Sequence, residues 1–222
     1  MNATMVKRLV LKEWYFQRWT GALYVAGGMV SLAALAGKSN GMFYLATVLL
    51  LSVMIGIGAT IAITAGVDER KEQTLPFLMT LPISPREYAT AKLAANTSLF
   101  IVPWALLSLA TLLMIGFSGG SGLTPYAAIV LTELLAAFCL VLSVAIVTES
   151  QGWTIGVMVA TNLFLQGFLY YVSHLPSIGR TMIGKVAIWN ATAIAFIAAE
   201  VALAALFLTI TYFIQSRKTD FL

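Results

Sequence analysis

An all-α membrane protein is what this sequence predicts, and three observations carry the prediction. Apolar residues make up 60% of the chain and charged residues 10%, where soluble domains carry about a quarter charged; the mean hydropathy is +0.91. Six segments are long enough to cross a hydrocarbon core, which takes about 20 apolar residues. Those segments are continuously apolar instead of alternating from face to face, which excludes a β-barrel, since backbone groups in lipid must be satisfied within one helix or a closed sheet.

The first element is an amphipathic helix over 5–19, with Lys7, Arg8, Lys12 and Arg18 placed for headgroups and Val6, Leu9, Val10 and Trp14 for acyl chains. Lys12, Glu13, Gln17 and Arg18 interrupt the apolar core that a signal peptide needs. Six spans follow, at about 20–37, 42–67, 93–116, 126–147, 154–173 and 186–214. Small residues such as Gly27, Gly28, Gly56, Gly58, Ala59, Ala62 and Ala65 allow close helix approach in lipid. The lone Cys139 falls inside the fourth span, so no intrachain disulfide forms. No repeat of fixed period and no second domain is visible, so 1–222 reads as a single transmembrane domain.

Six spans put both termini on one side. That side carries ten of the 13 Lys and Arg residues, and the other has only Lys38, Arg180 and Lys185. The positive-inside bias makes the ten-residue side cytoplasmic. The net charge of +4 is this same asymmetry and calls for no nucleic-acid partner. The outer connections, 38–41, 117–125 and 174–184, are too short for a folded domain.

The longest connection lies inside, between spans two and three. Residues 68–92 hold 8 of the 22 charged residues, interleaved with Leu75, Pro76, Phe77, Leu78, Met79, Leu81 and Pro82. Ser84 is placed as an N-cap, Pro85 at the first helical position and Glu87 as the capping-box partner, so a helix starts there and continues through Lys92 into the third span. Upstream, Thr74 caps a helix of about two turns that Pro82 ends, with an apolar face on Leu75, Leu78, Met79 and Leu81. Such a helix rests in the headgroup layer or docks on a protein. The neighbouring acidic residues favour protein, because an anionic leaflet repels them.

Glu69, Thr74, Leu78, Leu81, Pro82, Ser84, Glu87 and Lys92 resemble the pattern that follows the second span in the permease subunits of type-2 ABC exporters. The basic N-terminal helix is similar to that family's elbow helix. The resemblance implies that residues 74–81 are a coupling helix seated in a separate ABC ATPase, with Glu69, Thr74, Leu75, Phe77, Leu78, Leu81, Pro82 and Glu87 as the partner-binding set. It further implies a transport subunit and not an enzyme, paired with a second permease subunit (a copy of itself or a sister chain) in the cell membrane. This chain binds no cofactor in that scheme: ATP and Mg belong to the ATPase. Ala36-Gly37-Lys38-Ser39 is no phosphate loop, since Leu32 stands where glycine is required. The substrate is not legible.

Two carboxylates lie well inside spans. Glu133 is expected about 10 Å below the outer end of its helix and Glu200 near the middle of the last one. A charge at such depth costs roughly 3 kcal/mol on insertion scales and marks either function or a polar clamp. By depth, Asn162 is expected to pair with Glu200 and Gln166 with Glu133. A different class of function is offered by Gly116-Phe117-Ser118-Gly119, similar to the nucleophile motif of rhomboid intramembrane serine proteases, with Ser118 and His174 on the same outer side. The second span has neither the histidine nor the asparagine those proteases use for the oxyanion, and His174 beside Tyr170 and Tyr171 fits an aromatic belt. No His/Cys/Asp/Glu cluster has metal-ligand spacing.

Overall fold

Helix α1 (Ala3–Leu35) runs without a break, so the interfacial helix expected over 5–19 and the span expected over 20–37 form one element. Nothing between them stops a helix: there is no proline, and Gly21 alone costs about 1 kcal/mol relative to alanine. The first half of α1 is tied inward. Trp14 Nε1 donates to Ser98 Oγ at 3.0 Å, Gln17 Nε2 donates to Thr64 Oγ1 at 3.0 Å, and the Tyr24 and Thr60 hydroxyls lie 2.9 Å apart. Trp14 is therefore a packing residue of the bundle and not the lipid-facing one expected.

The computed structural model describes residues 3–37, 39–68, 84–117 and 120–217. After α1 come α2 (Asn40–Ile63), extended by a π-helical turn (Thr64–Asp68), α3 (Pro85–Phe117), and a 3-10 turn (Ser121–Leu123) leading into α4 (Thr124–Thr148). Then follow α5 (Gln151–His174), the short α6 (Pro176–Met182) and α7 (Ala191–Ser216). Five stretches among the described residues are long and apolar enough to cross a membrane: Gly41–Gly66, Arg86–Phe117, Ser121–Thr148, Gln151–His174 and Ala191–Ser216. The apolar part of α1 begins only after Arg18 and ends at Leu35, and α1 is not among the five. The chain is thus a multi-pass helical membrane protein with five helices that qualify as spans where six were expected.

The start of α3 follows from its sequence. Ser84 Oγ accepts from Glu87 N at 3.3 Å while Glu87 Oε2 accepts from Ser84 N at 3.1 Å, a reciprocal capping box with Pro85 in the first turn. Removing such a cap costs about 1 kcal/mol, so Ser84→Ala is expected to speed amide exchange at Glu87 about fivefold, with exchange in the second half of α3 unchanged. Two other starts depart from expectation. The last helix begins at Asn190, whose side chain accepts from Ala193 N at 2.8 Å, and not at 186. The outer connection expected over 174–184 contains α6, which starts with Pro176 at its first position and buries Ile178.

Helix α4 forms the axis of the bundle: 72% of its apolar window is buried, against 11% for α5 and 17% for α7. Its most extensive partner is α7, and α5, α2 and α3 also pack on it, while α1 packs on α2 and α3. At the centre Phe100 of α3 stacks on Phe138 of α4, with ring centroids 3.9 Å apart. Gly58 of α2 lies against both rings; a Cβ there would sit 3.2 Å from Phe138 and 3.3 Å from Phe100. Trp104 Nε1, next to Pro103 in the middle of α3, donates to Leu131 O of α4 at 2.8 Å. At the end of the bundle that holds Ser84, Gln215 Nε2 of α7 donates to Ile146 O of α4 at 2.7 Å. The π-helical turn closes against the same region. Gly66 is so close to α4 that a Cβ would fall 2.2 Å from Ala145 O.

Candidate functional site

Two groups of residues carry the functional expectations, one at the Ser84 end and one within the bilayer. Of the first, Glu69, Thr74, Leu75, Phe77, Leu78, Leu81 and Pro82 lie outside the described residues, and Glu87 is seen in the capping box. The described residues on either side of this segment are firmly held. On one side Asp68 closes the π-helical turn, whose Thr64 accepts from Gln17. On the other, α3 rises from Ser84 as one helix of 33 residues. Beside its first turns, Lys12 and Glu13 of α1, 3.4 Å apart, face Tyr88 and Lys92 across a narrow notch. Lys92 Nζ donates to Tyr88 Oη at 3.2 Å, and Asn96 Nδ2 donates to Lys92 O at 2.8 Å. Charged side chains of α1 and α3 thus gather at this end of the bundle.

Within the bilayer, Glu200 meets α4 at Thr132, the neighbour of Glu133, and not the amides of α5. Helices α4 and α7 run in the same direction from the far end of the bundle, and each carboxyl sits nine residues below its helix start, at Thr124 and Ala191. Both are therefore about 14 Å deep at 1.5 Å per residue. The later start at Asn190 accounts for the difference from expectation, because it raises Glu200 out of the level of Asn162 and into that of Glu133. Glu200 is 4% exposed and Glu133 8%.

Thr132, next to Glu133 on α4, donates its hydroxyl to Glu200 Oε2. The same hydroxyl has Ala128 O and Ile129 O within 3.0 Å. One proton serves three acceptors, so Thr132 does not need Glu200. Glu200 Oε1 is buried with no hydrogen-bond partner. An orphaned buried acceptor costs about 1–3 kcal/mol, and that cost falls on Glu200.

Asn162 and Gln166 stand elsewhere. Asn162 is exposed on α5, donates to Met158 O at 2.8 Å, and borders an apolar cavity of about 170 Å³ between α2, α3, α4 and α5, walled by Met54, Phe100 and Phe138. Gln166 is exposed on α5. Neither Glu133 nor Glu200 lines that cavity. The expected pairs, Asn162 with Glu200 and Gln166 with Glu133, are absent among the described residues, and Thr132 is the partner that sequence reasoning missed. Its signal was available: Thr132-Glu133 is a polar dipeptide in the middle of an otherwise apolar helix.

His174 stacks on Tyr170 with ring centroids 4.1 Å apart, and its Nδ1 lies 2.8 Å from Tyr170 O and 3.2 Å from Ser173 Oγ. It is engaged by its own helix. Ser118 lies outside the described residues. Among the described residues no group of three or more His, Cys, Asp or Glu side chains is placed to hold a metal ion.

A family model described as ABC-2 family transporter protein matches residues 19–167. No curated protein and no solved structure gives a significant match.

Proposed function

This chain belongs to the ABC-2 family of transporter proteins, and from that premise we propose that it is the permease subunit of an ATP-driven exporter, energised by a separate ATPase that grips residues 69–81. In this reading α1 supplies both the elbow and a sixth span, both termini and the Ser84 end are cytoplasmic, and the assembly sits in the cell membrane. A second permease chain completes the path against the outward apolar faces of α5 and α7, and ATP and Mg are held by the ATPase.

The observation that carries the reading is the capping box at Ser84 and Glu87. It fixes the start of α3 immediately after the coupling-helix pattern, so a displacement of residues 69–83 acts on one rigid helix that enters the bundle. Apolar side chains such as Phe77 and Leu78 anchor in the ATPase cleft, and the charged shoulder formed with Lys12, Glu13 and Lys92 sets orientation. Glu133 and Glu200 are the polar element that the transport cycle uses, retained at a cost in stability. The protease reading draws no support from the geometry of His174.

The test is co-purification. When the chain is co-expressed with its ABC ATPase, the ATPase is expected to copurify in stoichiometric amount. Leu78→Asp is expected to reduce that recovery at least about tenfold, since it places an unpaired charge where an apolar anchor docks. Undiminished recovery with Leu78→Asp and with residues 75–81 replaced by glycine and serine would refute the docking assignment.

A further inference from the structure

At the far end of the bundle, remote from Ser84, six helices converge on a second cavity of about 400 Å³. Its walls come from the first turns of α2 and α4 and the last turns of α1, α3 and α5, and Met182 of α6 lies over it. We propose that this cavity binds a single acyl chain of a bilayer lipid, which enters sideways past Tyr44.

Within the lining, away from Tyr44 at its edge, every hydroxyl proton is already spent on a helix carbonyl. Thr47 donates its hydroxyl to Phe43 O at 2.9 Å and Thr111 donates to Leu107 O at 2.7 Å, each within its own helix. Tyr126 spends its hydroxyl on Leu169 O at 3.4 Å, across to α5. Apart from Tyr44 at the edge, the rest of the wall is leucine, isoleucine, valine, alanine, phenylalanine and methionine. A cavity of this composition excludes water and takes apolar guests, and its size lies in the range of specific small-molecule pockets.

The route in is through lipid. On the loop side, Gly122 N donates to Gly184 O at 3.1 Å and Ser121 Oγ donates to Lys185 O, clasping the two outer connections together. The clasp is tight: a Cβ on Gly122 would fall 2.3 Å from Thr181 O and 2.4 Å from Gly184 O. Laterally the wall ends at Tyr44, which is 70% exposed, with Leu45 and Val48 of the same helix also outward. A tyrosine so placed presents its ring to hydrocarbon and its hydroxyl to headgroups. From Phe43 down to Leu51 the cavity wall descends about 12 Å, most of one leaflet of a core about 30 Å thick, which matches the lie of one acyl chain and not of a compact solute.

The experiment needs neither ATP nor a partner, so it stands or falls separately from the exporter reading. The full chain is reconstituted in nanodiscs of phosphatidylethanolamine and phosphatidylglycerol containing a trace of phospholipid with a mid-chain diazirine, irradiated, and mapped by mass spectrometry. Adducts are expected on peptides covering 43–51 and 123–131, about tenfold above those on the outward α3 residues Val102, Leu106 and Leu109. Ala127→Phe, which fills the cavity from α4, is expected to remove the cavity adducts and leave those on the outward α3 residues unchanged. Thr47→Phe fills it from the opposite wall and serves if the first variant fails to fold. Adducts spread evenly over all outward helices, or cavity adducts that survive both fillings, would overturn the proposal.

Discussion

Glu200→Leu is expected to leave a chain that inserts, assembles and melts about 2–4 °C higher than the parent, yet transports at least tenfold less. The stability part follows from counting acceptors. Leucine abolishes the orphaned Glu200 Oε1, worth about 1 kcal/mol or more, and strands nothing, because Thr132 keeps Ala128 O and Ile129 O. Replacing a buried polar group by an apolar one of similar volume is commonly neutral or stabilising when its partner is otherwise satisfied. The transport part follows from the proposal that a costly intramembrane carboxyl is kept for the cycle. Glu200→Gln separates charge from hydrogen bonding, since its amide N–H can donate to the Thr132 oxygen. Thermal denaturation in detergent and uptake into proteoliposomes read the two parts independently. A Glu200→Leu chain that melts lower and fails to assemble would show the carboxyl to be a clamp; one that transports normally would remove it from the mechanism.

The second large effect is expected at Gly66. An added Cβ there meets Ala145 O at 2.2 Å and the Ala145 carbonyl carbon at 2.5 Å, and this obstacle is backbone of the central helix and cannot swing aside. Overpacking of this kind costs about 1–3 kcal/mol, which for a chain of this size lowers the melting temperature by about 2–12 °C. The same substitution at Gly156, where a Cβ meets nothing within 4 Å, should gain the helix propensity of alanine, roughly 1 kcal/mol, and raise the melting temperature. Opposite signs for Gly66→Ala and Gly156→Ala on the isolated chain are the check. Equal effects would mean that α2 and α4 do not meet as closely as described.

The same contrast between local and distant determinants explains which parts of the architecture were readable beforehand. The start of α3 was legible because Ser84, Pro85 and Glu87 act within four residues of one another. The start of α7 was displaced because Val186, Ile188 and Trp189 are apolar, so hydropathy runs on past Asn190, and a cap has no hydropathy signature. That shift of five residues moved Glu200 to the wrong level and paired it with the wrong helix. The unbroken α1 was hidden by its composition: charge followed by oil reads as two elements, although no residue between them ends a helix. The bonds from Trp14, Gln17 and Tyr24 join residues 36 to 84 positions apart, and no sequence period reports such meetings. The cavities are likewise products of convergence, since each draws its walls from at least four helices.

Pro103 gives α3 a property that its length alone would not. Having no N–H, it leaves Leu99 O without its usual helical donor, while the next residue, Trp104, is fastened to α4 through Leu131 O. The tie to α4 thus falls where the ladder of α3 is interrupted, with about 27 Å of helix on the Ser84 side and about 21 Å on the other. In the proposed exporter this tie would serve as a fulcrum, so that a push by the ATPase at the capped end would be returned with opposite sense beyond the tryptophan.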